Sequence, residues 1–488
     1  MVLSMITSIQ HFQTDGVKKL EKVMLDYSDN MTKIAEMVHG VTKGVVELGL
    51  SIIAEEWESY DDILRNRRDI RKGWYIVRRD ETTLLTSLGS VTYKKTLFKN
   101  KNTGEHEYLL DRIMGLEKHA RMTEDAEANL LKEAVQTSYR RGGESASISE
   151  ETVSKEAVMN KVHALQFPKT EPQPEKKALK YLYIDADEDH VSLQYINEKG
   201  DIKKPRQNTV MPKLIYVYEG ITNENGRNEL INKKHFGGVY EGGQRIEELW
   251  KEVSEYIEAS YDAEELKKIY INGDGAAWIK SGQRLVDKAK FVLDRFHMHK
   301  YIIGATSHLQ DSVEGERSEI YRAIYKQKKW KAEESFNRIL EKTESESKKR
   351  TVESAKEYIL GNWAGIMQWV KDKNKELECS AEGHISHVYA DRMSSRPLGW
   401  SRIGADKMAR LRVYERNEGN MLELVRFQKK ELPMAAGCEE VIYSSNKMFS
   451  MERKNRENLG VLADMPVYDI PYPKIKKIAA IKNHIFGL

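Results

Sequence analysis

The sequence predicts an α/β fold with a mainly α-helical N-terminal region, and three observations carry that reading. Two apolar, strand-like runs, YLYIDADEDHV and KKIYINGDGAAWI, end in aspartates and flank a segment with helical apolar spacing, GGQRIEELWKEVSEYIEAS. The first 64 residues repeat apolar side chains at three-and-four spacing and contain no proline. Between these regions FPKTEPQPEKKA, residues 167–178, holds three prolines in mixed charge, a composition that marks a boundary.

The overall bounds narrow the class. A chain of 488 residues, 40% hydrophobic and 32% charged, has room for two to four domains with real cores. No apolar run reaches the roughly 18 residues that span a bilayer, and MVLSMITSIQHFQTDG lacks a basic-then-apolar signal layout. Neither membrane insertion nor export is expected. Cys379 and Cys438 are the only cysteines and form no CxxC pair, which excludes a disulfide framework and suits a reducing cytoplasm. The net charge of +3 conceals local clusters. Residues 65–79 carry seven Arg/Lys against one Asp, and residues 391–430 carry ten against five acids. Interleaved with Trp74, Tyr75 and Trp400, such clusters suit phosphate contact and base stacking, although a solvated helix face has the same composition.

The elements follow in order. Residues 1–120 read as helices followed by a β-hairpin around Asn102-Thr103-Gly104. Residues 121–166 read as three helices: AEANLLKEAVQTS, a short one at YRRGGESA, and a third capped by Ser147 or Ser149 and running through EETVSKEAVMNKVHAL. That arrangement suits a helix-turn-helix with Lys155, Asn160 and Lys161 facing the major groove; an ordinary helical bundle is the alternative. After the linker at 167–179, residues 180–415 form the α/β domain: strand, acidic turn and strand over 180–197, a strand at 210–220, the helix at 242–260, then the strand ending at Asp274. A charged, proline-free helical stretch occupies about 305–376, and a basic region closes the chain at 416–488.

Three acids stand in settings suited to divalent cations. Asp187 and Asp274 close strands, and Glu382 lies in CSAEGHISHVYADR. Two carboxylates at strand ends with a third from a distant segment form a cradle for two Mg²⁺ (or Mn²⁺) ions, which activate water against a phosphodiester. Each acid has rivals. Asp185 is the alternative first acid, Asp189 suits the turn, Asp274 could cap the following helix, and Glu378 and Asp391 neighbour Glu382. A zinc centre from Cys379, His297, His299, His384 and His387 is a further alternative. Trp278, one helical turn past Asp274, suits either base stacking or the core.

The strand and helix order of 180–274 matches the ribonuclease-H-like core of polynucleotidyl transferases. The strings IYINGDGAAWI, FVLDRFHMHKYI, AEGHISHVYADRMSSRPLGWS and GADKMARLRVY resemble the ISLre-type bacterial insertion-sequence transposases and, more distantly, Mutator-type DDE transposases, with similarity along essentially the whole chain. The resemblance implies a ribonuclease-H-like fold interrupted by a helical insertion, for which the 107 residues between Asp274 and Glu382 leave room. It further implies Asp187, Asp274 and Glu382 as the catalytic metal ligands, with Asp294 and His297 as a supporting Asp-x-x-His element. Arg392, Arg396, Arg402, Arg410 and Arg412 would then clamp phosphates. The implied partners are double-stranded DNA, as transposon ends and target, and further copies of the chain in a homodimer or larger complex; the implied location is the bacterial cytoplasm. A catalytically silent DNA-binding regulator and a structure-specific nuclease on the same core are the rival functions.

Overall fold

The computed structural model describes residues 4–149, 151–195, 208–224, 227–372, 385–395 and 399–429. The fold is mixed α/β. The chain divides into two compact units, Met1–Glu133 with Arg140–Lys155 and Gln428–Leu488, and Ala134–Tyr139 with Glu156–Phe427.

In the first unit, α1 (Ser4–His11) continues through a π-turn, Phe12–Gly16, into α2 (Val17–Asp29), which packs along the 33-residue α3 (Ile34–Asn66). Close approach is possible because Gly40 and Gly44 receive Val23 and Leu20; a Cβ at either glycine would come within 2.9 Å of those side chains. By length and composition α3 is apolar enough to cross a membrane, which the residue-by-residue reading did not anticipate. Its C-terminal end is committed elsewhere: Ile63 and Leu64 enter a core with Trp74, Leu84, Val91, Tyr93 and Phe98.

That core faces a three-stranded antiparallel sheet, β1 (Trp74–Leu85), β2 (Ser90–Asn100) and β3 (His106–Tyr108). The turn expected at Asn102–Gly104 is present and joins β2 to β3, while the longer hairpin turns earlier, where Thr86 Oγ1 donates to the Gly89 carbonyl. The buried Asp61 ties α3 to the sheet by accepting from the Thr96 N–H (2.8 Å) and hydroxyl (2.7 Å). Next come α4 (Leu109–Ile113), α5 (Glu124–Ala134) and α6 (Tyr139–Glu144), followed by α7 (Lys155–Ala164), which belongs to the second unit from Glu156 onward. All three helices expected for a helix-turn-helix exist, but the third starts at Lys155 rather than near Ser149. Ser147 and Ser149 hydrogen-bond one another at 2.8 Å, and Ser147 Oγ accepts the Ser149 N–H, so their oxygens serve a turn instead of a cap.

The second unit is built on a five-stranded sheet. Its strands and the neighbouring ribbons are β4 (Tyr181–Glu188), β5 (Val191–Ser192), β6 (Thr209–Val210), β7 (Lys213–Tyr218), β8 (Gly220–Glu224), β9 (Arg227–Ile231), β10 (Lys234–Gly238), β11 (Lys268–Gly273) and β12 (Ala289–Leu293). The order in the sheet is β10-β7-β4-β11-β12. β7 runs antiparallel to both β10 and β4, whereas β4, β11 and β12 are parallel. Parallel neighbours require crossovers, supplied in part by α8 (Gly243–Ser260) before β11 and α9 (Ala277–Leu285) before β12.

Alternation along the strands gives the sheet two unlike faces. Leu182, Ile184, Ala186, Ile215, Val217, Ile269 and Ile271 share a core with α8, α9 and α10 (Arg295–Thr306). Fully burying each aliphatic side chain of this kind stabilises by roughly 1.5–3 kcal/mol. The helical segment expected at about 305–376 is α11 (Val313–Tyr325), α12 (Lys329–Lys342), α13 (Glu346–Gly361) and α14 (Trp363–Lys371), and Ile320, Phe336, Ile339, Val352, Ile359 and Ile366 carry its apolar sides into the same core. The opposite face bears the buried rings of Tyr183, Tyr216, Tyr218 and Tyr270, with Tyr183 stacked 5.5 Å from both Tyr218 and Tyr270. The proline-rich stretch lies against the end of α8, where the Gln173 N–H donates to Ser260 Oγ and the Lys177 N–H to the Ser260 carbonyl. A last long helix, Arg402–Arg416, is capped by Ser401 and packs on β10, where Asp406 accepts the Val239 N–H at 2.8 Å.

Candidate functional site

Adjacent parallel strands set up the site. β4 and β11 place Asp185 beside Asn272, and Asp187 and Asp274 each lie two residues further on, at the C-terminal ends of their strands. Asp187 is half-buried, and its Oδ1 accepts the Glu188 N–H at 2.8 Å. Burial, with the nearby negative charge of Asp274 adding to it, pushes its carboxyl up to about 6. The two acids therefore feel one another.

Asp274 owes its position to the glycines around it. A Cβ on Gly273 would meet Ile279 and the Ala186 carbonyl at 2.8–3.0 Å, and Gly275 has φ +95° with Asn362 Oδ1 2.6 Å from where a Cβ would stand. The chain can turn sharply there only without side chains. Asp274 Oδ1 accepts the Ala276 N–H (2.9 Å), and the Tyr358 hydroxyl donates to its carbonyl. This is an Asx turn leading into α9, so local bonding and an outward carboxylate are compatible.

The candidate first acids differ in their depth in the sheet. Asp185 is fully buried and accepts hydrogen bonds from Tyr216 (2.8 Å), Tyr218 (3.1 Å) and the Asn272 amide (2.6 Å), so its oxygens are occupied within the core. Asp189 belongs to the turn, accepting the His190 N–H. Asp187 is the acid at the rim.

Asp294 and His297 join the same neighbourhood. Asp294 caps α10 by accepting the Phe296 N–H, its own N–H binds the Gly273 carbonyl, and its second oxygen meets His297 Nδ1 at 2.8 Å. That bond raises the His297 pKa, helped by the charges of Asp294, Asp274 and Asp187. Glu382 lies outside the described residues, as do Glu378, Cys379, His384 and Arg396. Among the described residues no group of three or more His, Cys, Asp or Glu side chains is set to hold a metal ion. The assembled portion is an acid pair with a histidine beside it. Two carboxylates, one held above its ordinary range by burial and its neighbour's charge, form a donor set suited to a hard cation with oxygen ligands.

Among the described residues the zinc alternative finds no such convergence. His299 is engaged by the Tyr321 hydroxyl at 2.6 Å and its pKa is lowered by burial, while His387 is exposed beside Asp391. Trp278 is buried in the core and its carbonyl accepts from Trp250 Nε1, which makes it a packing residue.

The expected DNA contacts divide. Lys155 and Asn160 are exposed on α7 and Lys161 is half-buried. Arg392 and Arg412, expected to clamp phosphates, are buried instead. Arg392 donates to the Ala134 carbonyl and stacks over Trp400 at 4.9 Å. Arg412 donates to the carbonyls of Val388, His387 and Val135 and to the Gln136 side chain. Carbonyls already occupy these guanidinium groups. Arg402 pairs with Glu241, and Arg410 with Asp406 and the Tyr240 hydroxyl.

Residues that sequence reasoning passed over include Tyr216, Tyr218 and Asn272, which hold Asp185, and Tyr358 and Asn362, which shape the Asp274 turn. Only the alternation of tyrosines in LIYVYEG hinted at the first group.

The sequence model described as "Uncharacterised protein family (UPF0236)" matches residues 27–431. Among curated proteins, three UPF0236 proteins of Caldanaerobacter subterraneus subsp. tengcongensis are each 36% identical to this chain over 416 residues. The matches cover 84–85% of it and 80–85% of their own length. The name of one joins eleven locus designations of that organism and the name of another joins four.

Proposed function

The chain belongs to the UPF0236 family, and from that premise we propose that it is the transposase of a bacterial insertion sequence, cutting and joining DNA at a site built on Asp187, Asp274 and Glu382. The observation that carries the reading is the pairing of Asp187 with Asp274 at the ends of neighbouring parallel strands, close enough for one charge to shift the other's proton affinity. Two further facts support it. The order β10-β7-β4-β11-β12, with β7 antiparallel to both its neighbours and β4, β11 and β12 parallel, is compatible with a ribonuclease-H-like core. Relatives present at many loci of one genome suit a mobile element.

Asp187 and Asp274, with Glu382 as the third acid implied by the resemblance, are the residues that would hold a pair of Mg²⁺ or Mn²⁺ ions. When bound, the metal supplies Lewis-acid polarisation of a phosphoryl oxygen and a more acidic water. The chain's own part is positional. Glycine-tight turns aim Asp274, the sheet holds Asp187, and His297, whose pKa the hydrogen bond to Asp294 raises, stands in the same neighbourhood. In the first step a water oxygen bonds to phosphorus as the bond to the 3′-oxygen at the element's end breaks, and that oxygen leaves as a hydroxyl. In the second, the freed hydroxyl attacks a target phosphodiester and displaces a 3′-oxygen there. Double-stranded DNA is thus both substrate and partner, read through α7, and two ends brought together require a dimer or larger complex.

The test is Mg²⁺-dependent nicking and joining of a plasmid that carries the element's ends. Asp187→Ala, Asp274→Ala and Glu382→Ala are each expected to abolish cleavage while sparing end binding. Full strand transfer by the Asp274→Ala protein refutes the assignment.

A further inference from the structure

The first unit carries a basic surface that the acid pair leaves unexplained. Its foundation is the turn between α3 and β1. Arg71 is buried in this turn and donates to the carbonyls of Leu64, Arg65 and Trp74, so it pins the loop from inside. Most other cations of the cluster are neutralised: Arg67 grips Asp69 with two hydrogen bonds of 2.8–2.9 Å, Arg78 binds Asp80, and Arg65 and Arg79 face Asp62.

Lys72, Lys99 and Lys101 remain, all exposed and none within ion-pair distance of a carboxylate among the described residues, although the charge of Lys72 reaches Asp69; Arg68 lies alongside in the same turn. The backbone gathers them. Gly73, at φ +82°, closes the turn, and its carbonyl accepts the Lys101 N–H at 2.7 Å, which sets Lys72 next to Lys101. Across the β1–β2 ladder Lys99 stands directly opposite Tyr75, a residue 54% exposed whose ring centroid lies 4.7 Å from Lys101 Nζ. Lys99 and Lys101 therefore flank one open aromatic ring, with Lys72 next to Lys101.

We propose that this patch, Lys72, Tyr75, Lys99 and Lys101, follows the phosphate backbone of duplex DNA and is a second DNA-contacting surface besides α7 and the acid pair. Its choice of DNA as partner rests on the transposase reading. Lysines are point charges on flexible stems and lack the planar fork that reads guanine, so the patch suits backbone contact without sequence preference. Each phosphate neutralised releases condensed counterions, which makes the contribution dependent on salt. The exposed tyrosine offers a flat face and a hydroxyl donor to the sugar–phosphate edge.

The experiment is fluorescence anisotropy with the full chain and a random-sequence duplex in EDTA, so that no chemistry occurs, at salt rising from about 50 to about 200 mM. The comparison is between wild type, the triple variant Lys72→Ala/Lys99→Ala/Lys101→Ala, and a control of equal charge change, Lys18→Ala/Lys22→Ala/Lys33→Ala, on exposed positions of α2 and of the turn that precedes α3. Three lost phosphate contacts reduce the log–log salt slope by about 0.9 each, so the wild type should lose about 40-fold more affinity over this range than the triple variant. Matching melting curves would establish that the variant is folded. An unchanged slope in the triple variant, or an equal change in the control, overturns the proposal. Loss of binding to phosphatidylserine vesicles with DNA binding intact also overturns it, assigning the patch to lipid headgroups. Lysine-independent duplex binding alongside metal-dependent nicking removes the patch and leaves the transposase reading standing. Lysine-dependent binding without nicking does the reverse.

Discussion

Replacing Asp187 with asparagine should make the metal-free protein more stable at neutral pH, and only there. Burial and the charge of Asp274 lift the Asp187 carboxyl from its ordinary 3.8 to about 6, so the folded state holds this proton more tightly than the unfolded chain does. The favourable contribution is complete below about pH 4 and is lost as pH rises through about 6. A displacement of this size corresponds to about 3 kcal/mol, and partial solvent access reduces it to about 2 kcal/mol. The substituted amide carries no charge and keeps an oxygen for the Glu188 N–H. In EDTA the Asp187→Asn variant should therefore melt about 4 °C above wild type at pH 8, taking about 2 °C per kcal/mol for a unit of this size, and level with it at pH 4. Adding Mg²⁺ should raise the wild-type melting temperature and leave the variant's unchanged, since binding to the folded state alone stabilises it. Equal melting temperatures at pH 8, or a gap of the same size at pH 4, would show that burial and the charge of Asp274 do not raise the Asp187 carboxyl.

Three other outcomes are expected. Asp185→Ala leaves two tyrosine hydroxyls and the Asn272 amide without their acceptor and should cost about 3–5 kcal/mol, read as a lower urea midpoint; an unchanged midpoint would mean that the network carries no stability. Gly275→Ala combines an unfavourable φ with a 2.6 Å contact to Asn362 Oδ1 and should cost about 1–3 kcal/mol. Its nicking activity should fall well below that of Gly361→Ala, where a Cβ meets nothing within 4 Å. Arg412→Ala should destabilise by about 3 kcal/mol or more through carbonyls left unpaired, whereas Arg402→Ala, which breaks a partly exposed ion pair, should change stability by less than about 1 kcal/mol.

Much of the fold is legible because periodicity is a local property. The runs through Tyr181–Glu188 and Lys268–Gly273 are apolar, short and bounded by turn residues, and the charged stretch that becomes α11–α14 keeps its three-and-four spacing throughout. β10 and β12 escape that reading because each is five residues long, and KHFGG in particular carries no strand signature of its own. Asp185 and Asp187 point to the same side of β4, so alternation alone does not separate them; what does is the depth set by Tyr216, Tyr218 and Asn272 on neighbouring strands. The arginines mislead for a related reason. Arg392 and Arg412 sit in a basic, polar stretch that looks solvated, yet carbonyls more than 250 residues away receive them, and no local pattern announces a partner so distant.

That distance sets an order on biosynthesis. Val135 waits for Arg412, which follows 277 positions later. At about 5–20 residues per second the ribosome needs roughly 14–55 s to deliver it. For most of that interval the Val135 carbonyl has no Arg412 to receive it. The sheet can assemble around β4 and β7 in the meantime, but the unit closes only when the helix ending at Arg416 emerges, so a nascent chain halted before that helix holds the acid pair in a body not yet sealed.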